Sequence, residues 1–279
     1  MRVPKRIKRV LRLLISMCFY VVMRLRIAAK KLAGLPFHYG CIILYYHAVP
    51  KERRTQFANQ LDLIARTTKP IAVDSVAPLQ PNVRYSAITF DDGLESVVEN
   101  AVPELVKREL PAAIFVTVGA LGRTPDWWPD DTPERQDNVM SLDQMRSLPA
   151  SLIAIGSHTL THPMLPSIDK ARAWRELKES KAELQRSAGR NIVLFSFPFG
   201  AVTEELVALC QDAEYERVFT SNHSVALKHA NEFVSGRVAV EASDWKMEFR
   251  LKLFGAYCWL PYASRWKRNI KSMFQRGGK

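Results

Sequence analysis

The chain has 279 residues, 47% of them hydrophobic, with ordinary contents of glycine (12) and proline (16). That excludes collagenous and broadly disordered classes and allows one domain with a sizeable core. The formal net charge of +12 is carried by the ends: residues 1–31 hold ten Lys/Arg and no acid, residues 246–279 hold nine against Glu248 alone, and 32–245 has 21 basic against 27 acidic residues. A mildly acidic middle excludes a basic nucleic-acid-binding domain and assigns the positive ends to an anionic surface.

Residues 1–35 form a basic amphipathic segment. Its uncharged centre, Leu13–Met23, is 11 residues long, roughly 16 Å as a helix against ~30 Å of hydrocarbon. It is too short to span, and Arg24 and Arg26 follow where a signal peptide needs a small-residue cleavage site. A helix lying in the headgroup layer fits better.

From residue 41 the pattern alternates. Apolar runs predict strands at CIILYY (41–46), PIAV (70–73), YSAITF (85–90), AAIFVTV (112–118), LIAI (152–155), NIVLF (191–195), RVFT (217–220) and RVAV (237–240). Helical patterns lie between several of them, at 55–67, 94–110 and 167–187. Strands alternating with amphipathic helices predict an α/β fold on a parallel sheet, and this strand count favours closure into a (β/α) barrel of seven or eight strands. A polar, proline-rich excursion at 121–140 interrupts the rhythm and is long enough to shape a cleft. Its Trp127-Trp128 pair serves either sugar stacking or loop anchoring.

In such folds the C-terminal ends of strands meet on one rim, where active sites sit. Asp91 and Asp92 follow YSAITF on that rim. His158 and His162, in GSHTLTHP (156–163), follow LIAI. Two imidazoles and one carboxylate make a three-ligand divalent-metal site with room for water, and the spare aspartate can act as a base. Cys18, Cys41, Cys210 and Cys258 form no CxxC pair, so neither a disulfide framework nor a thiolate zinc site is expected.

TFDDG, HTLTH and SFPFG, each at a strand end and in this order, resemble the polysaccharide deacetylase family, the NodB-homology domain of carbohydrate esterase family 4, over residues 40–245. The resemblance implies a distorted (β/α) barrel and metal-dependent removal of acetyl groups from amino sugars. It implies Asp91 as base, Asp92, His158 and His162 as metal ligands, Pro198 in the substrate groove, and the Phe199 backbone N–H at the oxyanion. The metal it implies is divalent, Zn²⁺ first, with Co²⁺ or Ni²⁺ as alternatives.

Two departures stand out. The family's third motif usually opens with an arginine that orients the base, and Ser196 stands there; Arg237, at the start of RVAV, is the candidate replacement. The family's C-terminal acid histidine is also missing, because no histidine follows residue 229. ILYYHAVP (43–50) places His47 at a strand end instead, which resembles a permuted, membrane- and biofilm-associated subgroup with the acid histidine first. A strand from either chain end can fill the same gap in a closed ring. Asp244-Trp245 faintly echoes a family Asp-Trp motif.

Residues 246–279 place aromatics (LFGAYCWLPYAS, 253–264) between basic residues, as at a membrane interface. The expectation is therefore a segment 1–35, a deacetylase domain 36–245 and a segment 246–279. The expected activity is metal-dependent N-deacetylation of a cell-surface polysaccharide, lipopolysaccharide or lipid-linked sugar. The alternatives are a deformylase, an O-deacetylase or a catalytically silent member. The expected location is the bacterial inner membrane, peripheral, cytoplasmic face favoured, with an exported protein as alternative.

Overall fold

The computed structural model describes residues 4–75, 78–229 and 231–263. The basic tail WKRNIKSMFQR lies outside them. Nine strands, all parallel, build one sheet. They are β1 (Cys41–Tyr46), β2 (Lys69–Pro70), β3 (Tyr85–Phe90), β4 (Ala112–Val116), β5 (Ile153–Ser157), β6 (Leu194–Ser196), β7 (Arg217–Thr220), β8 (Val234–Gly236) and β9 (Val238–Ala239). Their order is β8-β7-β6-β5-β4-β3-β1-β9, with β2 paired on β3.

The last two strands close the ring. β8 pairs with β7 and β9 pairs with β1, and a single residue, Arg237, separates β8 from β9. One short segment therefore bridges the two sides of the sheet; the expected strand 237–240 shortens to β9, and the preceding β8 had not been expected. The result is the distorted (β/α) barrel expected from the alternation of elements. In place of the expected strand PIAV (70–73) stands the two-residue β2, Lys69–Pro70, and beyond it the Ile71 N–H still donates to the Ser86 carbonyl of β3 (2.9 Å).

Around the barrel lie α1 (Lys5–Leu32), α2 (Arg54–Thr67), α3 (Val102–Lys107), α4 (Leu142–Ser147), α5 (Lys170–Ala188), α6 (Glu204–Asp212) and α7 (Lys246–Leu253). Helix α5 is bounded as its sequence dictates: the Asp169 side chain accepts from the Arg172 N–H, and Gly189 ends it at φ 64°. The helical pattern at 94–110 is instead broken by a π-turn, Val97–Ala101, before α3. Pro103 is the reason. It lacks the N–H that the α-helical ladder requires, and its ring crowds the preceding turn.

No described helix is long and apolar enough to cross a membrane. Helix α1, 28 residues and so about 42 Å long, runs along the outside of the barrel beside α7. Arg9 reaches Glu248 (2.7 Å), and its guanidinium lies 4.4 Å from the Trp245 ring centroid. Ser16 accepts from the Trp259 indole N–H (2.9 Å), and Tyr20 stacks on Phe254. Asp244 is chelated by the Lys252 ammonium at 2.8 and 2.7 Å. The Asp244-Trp245 pair therefore belongs to the seat of α1.

Candidate active site

Each expected site residue follows a strand on the same rim. His47 is the residue after β1, Asp91 and Asp92 follow β3, His158 and His162 follow β5, and Pro198 and Phe199 follow β6. The ladder carries on past the formal strand ends: the Asp91 N–H donates to the Tyr46 carbonyl (2.9 Å) and the His158 N–H to the Val116 carbonyl (3.0 Å). A cavity of about 460 Å³ opens there, lined by His47, both aspartates, both histidines and Phe199, and by Trp127, Trp128 and Arg237.

Asp92, His158 and His162 converge. Asp92 Oδ1 lies 3.4 Å from His158 Nε2 and 3.2 Å from His162 Nε2. Two ligands each about 2.0–2.1 Å from a tetrahedral ion stand roughly 3.3 Å apart. Asp92 Oδ1 is buried without a hydrogen-bond partner, which native interiors seldom tolerate and a cation at this point would relieve. His158 Nδ1–H donates to the Ser196 carbonyl (2.7 Å), turning Nε2 toward the common centre. Among the described residues this is the group whose donor atoms gather closely enough for a metal ion, and a divalent cation such as Zn²⁺ fits its donor set.

The backbone is strained where these side chains converge. Asp92, Thr159, His162 and Phe199 adopt φ of 68°, 70°, 59° and 58°, a region that costs non-glycine residues of order 1–3 kcal/mol each. Neighbours hold them in place. The Thr159 hydroxyl accepts from the His162 N–H (2.9 Å), and the Glu176 carboxylate on α5 accepts from the Leu160 and Thr161 N–H groups (both 2.9 Å).

Asp91 stands beside the group of Asp92, His158 and His162 and is not one of its members. Arg237 grips it bidentately, Nη1 to Oδ1 and Nη2 to Oδ2, both 2.7 Å. The same guanidinium donates to Ser196 Oγ (2.7 Å) and Thr89 Oγ1 (3.2 Å) and lies 4.6 Å from the Tyr45 ring centroid. Both members of the pair are buried, Arg237 at 1% and Asp91 at 4% exposure. Burial pushes the Asp91 carboxyl up, but Arg237 and His158 outweigh it and hold it below the usual carboxylate range. Burial likewise raises Asp92, and the two imidazoles beside it hold it well below that range. Burial pushes His162 down, toward the neutral form that a metal requires.

The remaining expected residues ring this centre. His47 packs edge-on against Trp128, centroids 5.1 Å apart, and against Tyr45 at 5.6 Å. Pro198 is buried, while the Phe199 ring is half exposed and meets His162 edge-on at 4.9 Å. The tryptophan pair of the 121–140 excursion takes part as well. The Trp128 indole N–H donates to Asp92 Oδ2 (2.8 Å), and Trp127 stacks on His162 with centroids 4.3 Å apart. The tryptophan pair thus both anchors its loop and orients two of the converging side chains. Nothing in a helical pattern marks Glu176 as a loop clamp, and Ser196 had been read only as the loss of an arginine.

The sequence profile described as polysaccharide deacetylase matches residues 79–218. YxkH of Bacillus subtilis, a protein of the polysaccharide deacetylase type, is 24% identical over 225 residues, covering 77% of this chain and 74% of its own. A poly-beta-1,6-N-acetyl-D-glucosamine N-deacetylase of Staphylococcus aureus is 21% identical, covering 61% of this chain and 58% of its own. Among solved structures, IcaB from Ammonifex degensii superposes with a TM-score of 0.65 at 25% identity, over 78% of this chain and 98% of that one. The Streptococcus pyogenes deacetylase PplD, with a TM-score of 0.63 and 19% identity over 78% and 99% of the two chains, shares the fold.

Proposed function

This chain belongs to the polysaccharide deacetylase family, and from that premise we propose that it is a metal-dependent hydrolase that removes an N-acetyl group from an amino sugar of a cell-surface polysaccharide, lipopolysaccharide or lipid-linked precursor. The observation that carries this reading is the convergence of Asp92, His158 and His162 on one point beside a second, ion-paired aspartate. Asp92 Oδ1, His158 Nε2 and His162 Nε2 would hold the divalent ion, Zn²⁺ first and Co²⁺ or Ni²⁺ as alternatives. Such an ion supplies Lewis-acid polarisation of the acetyl carbonyl and acidifies water at neutral pH.

The chain's own groups do the rest. Asp91, kept ionised and oriented by Arg237, accepts the proton of the attacking water. The Phe199 N–H donates to the oxygen on which negative charge develops, beside Pro198 in the substrate groove. His47, which lines the same cavity, gives a proton to the leaving amine, so that acetate and a free amino sugar depart. The test is acetate release from a panel of N-acetylated glycans and glycolipids, coupled to metal analysis. Chelation should abolish release and Zn²⁺ should restore it. Release that persists in metal-free protein rejects the reading, and formate release or release from O-acetylated glycans alone favours the alternatives.

For His47, replacement by alanine is expected to lower kcat by about 10²-fold or more, the scale of one general acid, with metal content unchanged. Turnover equal to the parent's would reject the acid role.

We also place the protein peripherally on a bacterial inner membrane, cytoplasmic face favoured over an exported location. Helix α1 supports the membrane part. Arg9, Leu13, Ser16 and Tyr20 face the barrel, whereas Ile7, Leu11, Leu14, Cys18, Val21 and Leu25 form an exposed apolar stripe on the far side. At 100° per residue the cations Lys8, Arg12, Arg26, Arg24 and Lys31 fall on the two flanks, the arrangement of a helix that lies in a headgroup layer. Co-flotation with phosphatidylglycerol vesicles at low salt is expected and should fail for Leu14→Asp/Leu25→Asp. Equal flotation of that variant, or none by the parent chain, removes this assignment.

A further inference from the structure

A second cavity, about 530 Å³, lies between α1 and the barrel. It is at the opposite end from the candidate active site. Its barrel wall includes Ile42 and Tyr85, at the starts of β1 and β3, whereas the catalytic rim begins beyond Tyr46 and Phe90. Roughly 15 Å of strand separates the two ends. This cavity therefore cannot be an extension of the glycan groove, and what it binds is independent of the deacetylase reading.

Its chemistry is divided in two. The walls are apolar: α1 contributes Phe19, Val22 and Met23, and the barrel side contributes Ile42, Leu253 and Phe254. The polar part is cationic, from Arg26 on α1, Arg84 before β3 and Lys228, and no acidic side chain among the described residues lines the cavity. The Arg84 guanidinium is oriented by two rings, 4.1 Å from the Phe254 centroid and 4.8 Å from that of Tyr39. Stacking of this kind fixes the planar group while leaving its N–H edges free for an anion.

An inorganic anion would have no use for the hydrocarbon walls, and a neutral apolar molecule would have none for three cations. A molecule with both parts satisfies both. The source is set by the helix that forms one wall, because the outer face of the same helix is an uncharged stripe flanked by cations. A lipid leaving that surface would reach the cavity over α1. We propose that this cavity binds one hydrocarbon chain of an anionic lipid, with Arg84, Arg26 and Lys228 at its phosphate.

The probe is monododecyl phosphate below its micellar concentration, titrated calorimetrically into the full chain. Saturable binding at a single site is expected, with inorganic phosphate and dodecyl maltoside each at least about tenfold weaker. Met23→Trp, which fills the apolar part, and Arg26→Gln/Lys228→Gln, two exposed positions whose loss leaves the core intact, should each weaken binding by about tenfold or more. Melting temperature and acetate release from a soluble substrate should not change in either. No binding to the parent chain, equal binding by Met23→Trp, or equal affinity for inorganic phosphate or for the maltoside would each overturn the proposal. No acetate release by the parent chain from any substrate, with dodecyl phosphate binding as expected, would instead strike only the deacetylase reading.

Discussion

Asp91→Asn is expected to reduce kcat by about 10³-fold, within the range for a lost general base, while the protein retains its metal. The expectation rests on a division of labour between adjacent carboxylates. Asp92 faces the two imidazoles and Asp91 faces Arg237, so an amide at 91 removes the proton acceptor without touching the ligand set. The substitution also leaves a buried guanidinium with half its partner. Asparagine keeps one oxygen for the Arg237 Nη1 donor but leaves the buried guanidinium charge uncompensated, so a loss of about 3–5 kcal/mol in stability is expected and should be measured beside kcat. Metal content unchanged with turnover lost is the outcome that separates an enzyme from a silent family member. Turnover within a few-fold of the parent, with metal bound, would remove Asp91 from the reaction.

Arg237→Gln should act on both stability and turnover. The Asp91–Arg237 pair lies at 5% and 1% side-chain exposure, and breaking such a pair from one side typically costs about 3–5 kcal/mol because the remaining charge stays desolvated. The same residue divides β8 from β9, so the loss falls on the segment that closes the barrel. Chemical denaturation should show the drop, and kcat should fall by about 10²-fold as the base loses its orientation. A purely structural role would lower stability with kcat preserved in the folded fraction. The structure offers a sharper control. Arg237 Nη2 lies 2.7 Å from Ser196 Oγ, so a guanidinium rooted at 196 reaches toward the same carboxylate. Arg237→Ser combined with Ser196→Arg is therefore expected to recover turnover that Arg237→Ser alone loses. Failure of the pair to exceed the single variant would show that the guanidinium cannot act from position 196.

Both expectations depend on what could be read at different levels. Local order was legible. YSAITF and CIILYY are apolar, partly β-branched runs that become β3 and β1 at the expected bounds. The carboxylates and imidazoles that follow their strands within one to five residues must arrive on one rim once the sheet is parallel. The resemblance of TFDDG and HTLTH to a known family rests on the same property, because these motifs are contiguous in the chain. Helix interruptions were less legible. The apolar period at 94–110 is continuous across Pro103, but the folded chain takes a π-turn before α3 instead of one continuous helix.

The amino-acid sequence by itself determined the alternation of elements, the rim and the four residues Asp91, Asp92, His158 and His162, since each depends on neighbours a few positions away. Only the tertiary structure decided what holds them. Arg237 meets Asp91 across 146 residues, Trp128 meets Asp92 across 36, and Arg9 meets Glu248 across 239. Such contacts follow from which strand closes the ring and which surface remains uncovered, and those are settled by burial over the whole chain, which no short stretch encodes.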